Sequence, residues 1–197
     1  MLCAVLINVS PSVRTVLFYL CLKGEAAVLF SIGELIIYGS MGVCRVEAVE
    51  LRNLPGGGQG QFYILQPIYQ TCAVSTPVDN EKIVMRHIIS REEVDRLIDT
   101  IPHTHAEAYH NKVLRQLTEY YENIIKLYDC AKLIELLLSL YDKKRLCAQV
   151  KKKFGALDER YMKRAEDMLF GEFAAALGIE RSAVSQYISD RIGGALG

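Results

Sequence analysis

Four histidines, six cysteines, one glycine-rich loop and a dense run of lysines and arginines are the residues of this chain whose chemistry needs explaining. His103 and His105 alternate in one segment, while His87 and His110 stand apart with no partner at ligand spacing, so no metal site is expected. Cysteines fall at 3, 21, 44, 72, 130 and 147 and never form a CxxC pair. That spacing argues against zinc ribbons and redox motifs and for reduced thiols in a cytosolic protein. The stretch from Asn53 to Gly60 reads Asn-Leu-Pro-Gly-Gly-Gly-Gln-Gly. A phosphate loop needs Lys-Ser/Thr after its glycines and a helix behind them, whereas Gln59-Gly60-Gln61 leads into a strand. The loop is therefore a hairpin tip. No serine or cysteine sits in a nucleophile elbow, so neither enzymatic activity nor a cofactor is expected.

The lysines and arginines are more informative. The 197 residues carry a formal net charge of +0, which excludes coating nucleic acid by bulk electrostatics and leaves only local patches. Between Lys143 and Arg164 there are nine Lys or Arg against Asp158 and Glu159 as the only acids, a local excess of seven. Lys151, Lys152 and Lys153 form one run, and Arg160, Lys163 and Arg164 continue it along one side of a helix. Such a surface can track a phosphate backbone, although a charge run by itself is more often a solvated face.

The elements that would position these groups divide the chain in two. From Leu29 to Pro77 the signals are β: Glu34–Tyr38 and Val43–Leu51 are rich in branched and aromatic residues, Gln61–Gln66 follows the glycine loop, and a short strand ends at Pro77. Four or five short strands predict a small barrel. After Asn80 the apolar period lengthens to that of a helix. Ser90-Arg91-Glu92-Glu93 is a capping box before Val94, Leu97, Ile98 and Ile101, and Pro102 stops that helix. Leu114, Leu117, Tyr121, Ile124 and Tyr128 make the stripe of a second helix, and Ala131–Tyr141 is apolar nearly all round, as at the centre of a bundle. Leu157, Tyr161, Ala165, Met168 and Leu169 share the face of a fourth, and a last helix is expected from Ser182 to Ile192.

The first residues read differently. Leu2–Leu22 is apolar, but Asn8, Ser10, Pro11 and Arg14 break it into runs shorter than a spanning helix requires, so no membrane association is expected. Lys23-Gly24-Glu25 back-translates to a purine-rich ribosome-binding sequence, which places the expected start of translation near Val28. Intact mass of the native protein tests that expectation. The organisation expected is an extension at 1–27, untranslated or disordered, a β domain at 28–87 and a helical domain at 88–193.

Three segments in register carry a resemblance. Phe30-Ser31-Ile32-Gly33-Glu34-Leu35-Ile36-Ile37-Tyr38-Gly39-Ser40-Met41-Gly42-Val43 opens the β module, Val74–Asn80 closes it, and Ala165-Glu166-Asp167-Met168-Leu169-Phe170-Gly171-Glu172-Phe173 matches an Ala-x-x-x-Leu-x-x-Glu-Leu helix. Together they resemble the CarD family of bacterial transcription regulators, of the CarD/CdnL type, whose first module is shared with the transcription-repair coupling factor. The resemblance implies an α+β fold, with a small N-terminal Tudor-like β barrel and an all-helical C-terminal domain. It implies a cytoplasmic monomer, held at the nucleoid through RNA polymerase, that binds the polymerase β subunit through its first domain. Its second domain would contact promoter DNA at the upstream edge of the melted region, modulating open-complex stability.

Arg52 matches an arginine on the family's polymerase-binding edge, with Glu50 and Leu51 beside it, although an ordinary solvated arginine reads the same way in sequence. Family members commonly carry a Trp after a Pro-His-Thr-like loop, wedged against the minor groove. This chain has no Trp, and the aligned position after Pro102-His103-Thr104 is Tyr109-His110. A weaker effect on the open complex is expected, with Tyr109, His110, Lys151, Lys152, Lys153, Arg160, Lys163 and Arg164 as the DNA-contacting set. Two alternatives stay open. Residues 172–191 also resemble a helix-turn-helix with Gly178 at the turn, which would read bases in the major groove, and an interaction module without DNA contact fits as well.

Overall fold

The computed structural model describes residues 29–54 and 57–195. The extension at 1–27 and the start at Val28 lie outside the described residues. Five strands, β1 (Leu35–Tyr38), β2 (Val43–Asn53), β3 (Gln59–Pro67), β4 (Val74–Pro77) and β5 (Met85–His87), precede five α-helices. The helices are α1 (Arg91–Thr100), α2 (Leu114–Ile125), α3 (Cys130–Gln149), α4 (Ala156–Leu177) and α5 (Val184–Ala195). The strands form one antiparallel sheet in the order β4-β3-β2-β1-β5, so a small β domain followed by helices, the α+β class expected, is what the chain adopts. No helix among the described residues is long and apolar enough to cross a membrane.

By packing, the described residues divide into two compact units, one holding 29–34 with the described part of Cys44–Ile83, the other Leu35–Val43 with 84–195. In the first, β2 and β3 pair from Cys44↔Pro67 to Asn53↔Gln59, and β4 adds to β3 from Phe62↔Pro77 to Leu65↔Val74. The register slips between Val46 and Ala48. One extra residue reverses the alternation, so Val46 and Val49 share the inner face while Ala48, Glu50 and Arg52 turn to the outer one. The inner face buries Cys44, Val46, Tyr63, Leu65 and Thr76. The Tyr63 hydroxyl accepts from the backbone N–H groups of Leu29 at 2.9 Å and Phe30 at 3.1 Å, closing one end of that core.

In the second unit β1 pairs with β5 at Ile36↔His87, Ile37↔Arg86 and Tyr38↔Met85. The turn after β1 uses Gly42 at φ +76°, a conformation that L side chains resist. The Ser90 hydroxyl caps α1 by accepting from the Glu93 N–H at 3.2 Å, and the helix gives way to a 3-10 turn at Ile101–His103, where Pro102 sits. On α2 the buried residues are Leu117, Tyr121 and Ile125 rather than the whole expected stripe. Leu114 is 67% exposed at the first helical position, and Tyr128 lies past the helix end at φ +51°. α3 buries Leu133, Ile134, Leu136, Leu137 and Leu140, the central position its composition predicts. α4 runs through Tyr161, Ala165, Leu169 and Phe173 to a left-handed cap at Gly178. The last helix is preceded by a 3-10 turn at Arg181–Ala183, so it starts two residues later than Ser182.

Candidate docking face and basic segments

On the outer face of β2, Arg52 is neither loose nor simply solvated. Its Nε and Nη2 donate to Glu50 Oε2 at 3.1 and 2.8 Å, its Nη1 donates to Ser75 Oγ at 2.9 Å, and its guanidinium carbon lies 5.7 Å from the Phe62 ring centroid. The side chain thus spans β2, β3 and β4. With Arg52 and Glu50 side chains 44% and 49% exposed, the ion pair is screened and worth about 0.2–1 kcal/mol. Its effect is orientation: a fixed guanidinium loses less conformational entropy when it meets a partner. Leu51 points from the opposite face and is 67% exposed. β2 has eleven residues and pairs with β3 from Cys44 to Asn53.

The segment carrying Tyr109 and His110 has no regular structure but is pinned at several points. Ser139, buried in α3, donates its hydroxyl to Glu107 O at 2.8 Å and accepts the Tyr109 N–H at 3.3 Å. The Tyr109 ring stacks on Tyr120 with centroids 4.1 Å apart, and its hydroxyl accepts from Asn111 Nδ2 at 3.1 Å. Tyr109 is therefore half-buried and committed to the helical core, while His110 is exposed. Of the expected aromatic pair, only His110 faces outward for a partner.

The basic run separates into interior and surface groups. Lys143, which begins it, is buried: its Nζ donates to Asp158 Oδ1 at 2.9 Å, and the Tyr121 hydroxyl donates to the same oxygen at 2.7 Å. Burial first, and that carboxylate second, push the Tyr121 phenol pKa up. Arg145 donates to Asp142 Oδ1 at 2.5 Å, and Arg164 donates to Glu122 Oε1 at 2.6 Å. A hydrogen bond from Tyr161, followed by the charge of Arg164, holds the Glu122 carboxyl below its ordinary pKa. Arg160 lies 5.1 Å from the ring of its neighbour Tyr161. Lys151, Lys152, Lys153, Arg160 and Lys163 remain exposed. Lys151 ends the α3 cap at φ +54°, its N–H bonded to Ala148 O at 3.1 Å. Lysines there also complement the negative end of the helix dipole.

The interaction least visible in sequence joins β5 to α4. Arg86 donates to Glu172 through Nη1 at 2.5 Å and Nη2 at 2.7 Å, and to Tyr128 O through Nε at 3.0 Å. Glu172 also accepts from the Ile89 N–H at 3.1 Å and the Cys130 thiol at 3.2 Å. Burial first, then the Glu172 carboxylate, push the Cys130 thiol pKa up. The acid of the Ala-x-x-x-Leu-x-x-Glu-Leu-like helix is thus spent inside the fold. A glutamate amid apolar positions of α4 was the signal that a buried cation must lie nearby.

In residues 172–191, Arg191 donates to Asp99 at 2.6 and 2.7 Å, and Tyr187 donates to Asp95 at 2.7 Å. Arg181 pairs with Asp167. Gln186 donates to Asp190 at 2.6 Å on the exposed side of α5.

Residues 30–89 match the family model described as CarD-like/TRCF RID domain, which points to a transcription-related role for that segment. The match runs from Phe30, which packs on Tyr63, through β5 to Ile89, whose N–H meets Glu172. It supports the CarD/TRCF-RID family for that segment.

Proposed function

We propose that this chain is a CarD/CdnL-type regulator that docks on the RNA polymerase β subunit through the outer half of β2 and meets promoter DNA through its helical unit, modulating the lifetime of the open complex. The observation that carries the reading is Arg52, held across three strands by Glu50, Ser75 and Phe62 inside the segment matched to an RNA polymerase-interacting domain. Leu51 beside it, 67% exposed, offers apolar contact. On the helical unit, Lys151, Lys152, Lys153, Arg160 and Lys163 are among the exposed cations that can meet phosphate, with His110 exposed in a separate loop. The helix-turn-helix alternative gains nothing from α5, because Arg191 and Arg181 are both engaged with carboxylates and Asp190 adds negative charge to the outward side.

The test is a pull-down with the isolated polymerase β subunit. Arg52→Glu abolishes binding while the fold is kept, with a melting temperature lowered by only a few degrees for the lost Glu50 and Ser75 contacts, since the reversed charge repels the partner without entering a core. Wild-type retention of polymerase by Arg52→Glu refutes the docking assignment, and retention after deletion of residues 29–87 refutes the β module's role altogether.

A further inference from the structure

Within the helical unit a cavity of about 680 Å³ opens among the loop at 110–112, the start of α2 and the first turn of α4. Its volume is that of a small-molecule site. Leu114, Leu117 and Leu157 give it apolar walls, and the Lys143–Asp158 pair lies in its lining. The Lys143 and Asp158 side chains are only 9% and 7% exposed. An ammonium has three N–H donors, and among the described residues Lys143 uses one, on Asp158 Oδ1. The residue itself lines the cavity. His110 and Lys112 stand in the same lining and are exposed to solvent.

A buried donor beside a buried carboxylate, set between apolar walls, is complementary to a flat group that carries a carbonyl oxygen next to an N–H. Guanine and thymine have that edge. Cytosine and adenine present an amino donor beside an acceptor ring nitrogen, and neither has the ring N–H that Asp158 would take up. Lys112 at the mouth adds a cation for a phosphate attached to the same molecule. We infer that this cavity is a nucleotide site that takes a guanine- or thymine-bearing phosphate ester, with the lactam edge on Lys143 and Asp158 and the phosphate near Lys112 and His110. The site is independent of the docking face on β2. The ligand is either a free nucleotide or an unpaired nucleotide of a melted strand, and the chemistry of recognition is the same for both.

The experiment is calorimetric titration of the full chain with dGMP, dTMP, dCMP and dAMP, and with the single strands d(T)6 and d(C)6. The expected result is binding of dGMP and dTMP at least roughly 10-fold tighter than dCMP and dAMP, within the discrimination of one paired polar edge. Leu114→Trp fills the mouth from a position already 67% exposed, and abolishes the binding. Lys112→Ala, a solvent-side change that leaves the fold alone, weakens dTMP several-fold while leaving thymidine unchanged. Preferential binding of d(T)6 identifies the melted strand as the source, and binding of dTMP or dGMP without d(T)6 identifies the free nucleotide. Equal affinity for the four nucleotides, no heat with any of them at millimolar concentration, or wild-type binding by Leu114→Trp overturns the inference.

Discussion

Replacing Lys143 by Met removes one member of an ion pair whose side chains are 9% and 7% exposed. The Asp158 carboxylate is then left buried with only the Tyr121 hydroxyl to satisfy its Oδ1. Breaking a buried pair from one side costs about 3–5 kcal/mol. The remaining tyrosine bond puts this case near the lower end, about 3 kcal/mol. In a chain of this size each kcal/mol lowers the melting temperature by about 2–4 °C, so a fall of about 6–12 °C is expected. Lys152→Met is the matched control: it removes the same charge from an exposed position of the same run and changes stability by less than about 0.5 kcal/mol. The double change Lys143→Met, Asp158→Leu leaves no stranded charge and recovers most of the loss. Urea unfolding followed by circular dichroism at pH 7 reads all three. If Lys143→Met and Lys152→Met unfold at the same urea concentration, Lys143 is not buried with Asp158 and the division of the basic run into interior and surface groups is wrong.

Replacing Lys151, Lys152 and Lys153 with Ala weakens promoter binding equally on all sequences and flattens the slope of log affinity against log salt by up to about 0.9 for each lost phosphate contact, whereas an unchanged slope marks the run as solvated. Because Glu122 is held below its ordinary pKa in the fold, its contribution to stability is fully present above the unfolded carboxyl pKa of about 4.3 and is lost as pH falls through the folded value. Acid titration of Glu122→Gln should therefore lose less stability below about pH 4 than wild type does, and parallel curves count against the assignment. Cys44 is buried and its thiol is pushed up to about 11, by desolvation first and Cys72 second. Against an ordinary thiol near 9 this leaves about a hundredfold less thiolate at neutral pH, so Cys72 reacts with a disulfide reagent in the folded protein and Cys44 only on unfolding; equal rates refute this.

Much of the fold is legible in the residues because local signals and packing agree. Ser90 caps the helix its sequence announces, Pro102 falls where α1 has given way to a 3-10 turn, and the uniformly apolar stretch of α3 is central. The α2 stripe misleads because spacing cannot report where a helix ends: Tyr128 keeps the interval of the pattern but sits beyond the last turn in a left-handed conformation. β5 is three residues, Met85-Arg86-His87, too short and too polar to show a period of two. Of the proposed site, the basic residues are visible as a run, but charge in sequence does not reveal its partner. Lys143 finds Asp158 at a separation of 15 residues and Arg164 finds Glu122 at 42, distances only the packed helices make short. Tyr109 is read as an aromatic available for DNA until the ring of Tyr120 is seen to hold it.

The bond between Arg86 and Glu172 reaches across 86 residues. At about 5–20 residues per second, a ribosome needs roughly 4–17 seconds to add that length after Arg86 has been made. During that time the guanidinium has no carboxylate to meet and stays hydrated, so β5 cannot settle with α4. Cys44–Ile83 and residues 29–34 that pack with it are all present in the nascent chain throughout the delay. Synthesis interrupted before Glu172 therefore leaves a product that carries Arg52 and its neighbours but has no closed helical unit. If the β2 face docks as proposed, such a fragment would compete for the partner without delivering the rest of the protein, which makes clearance of incomplete chains matter more here than in a protein whose last helix merely adds stability.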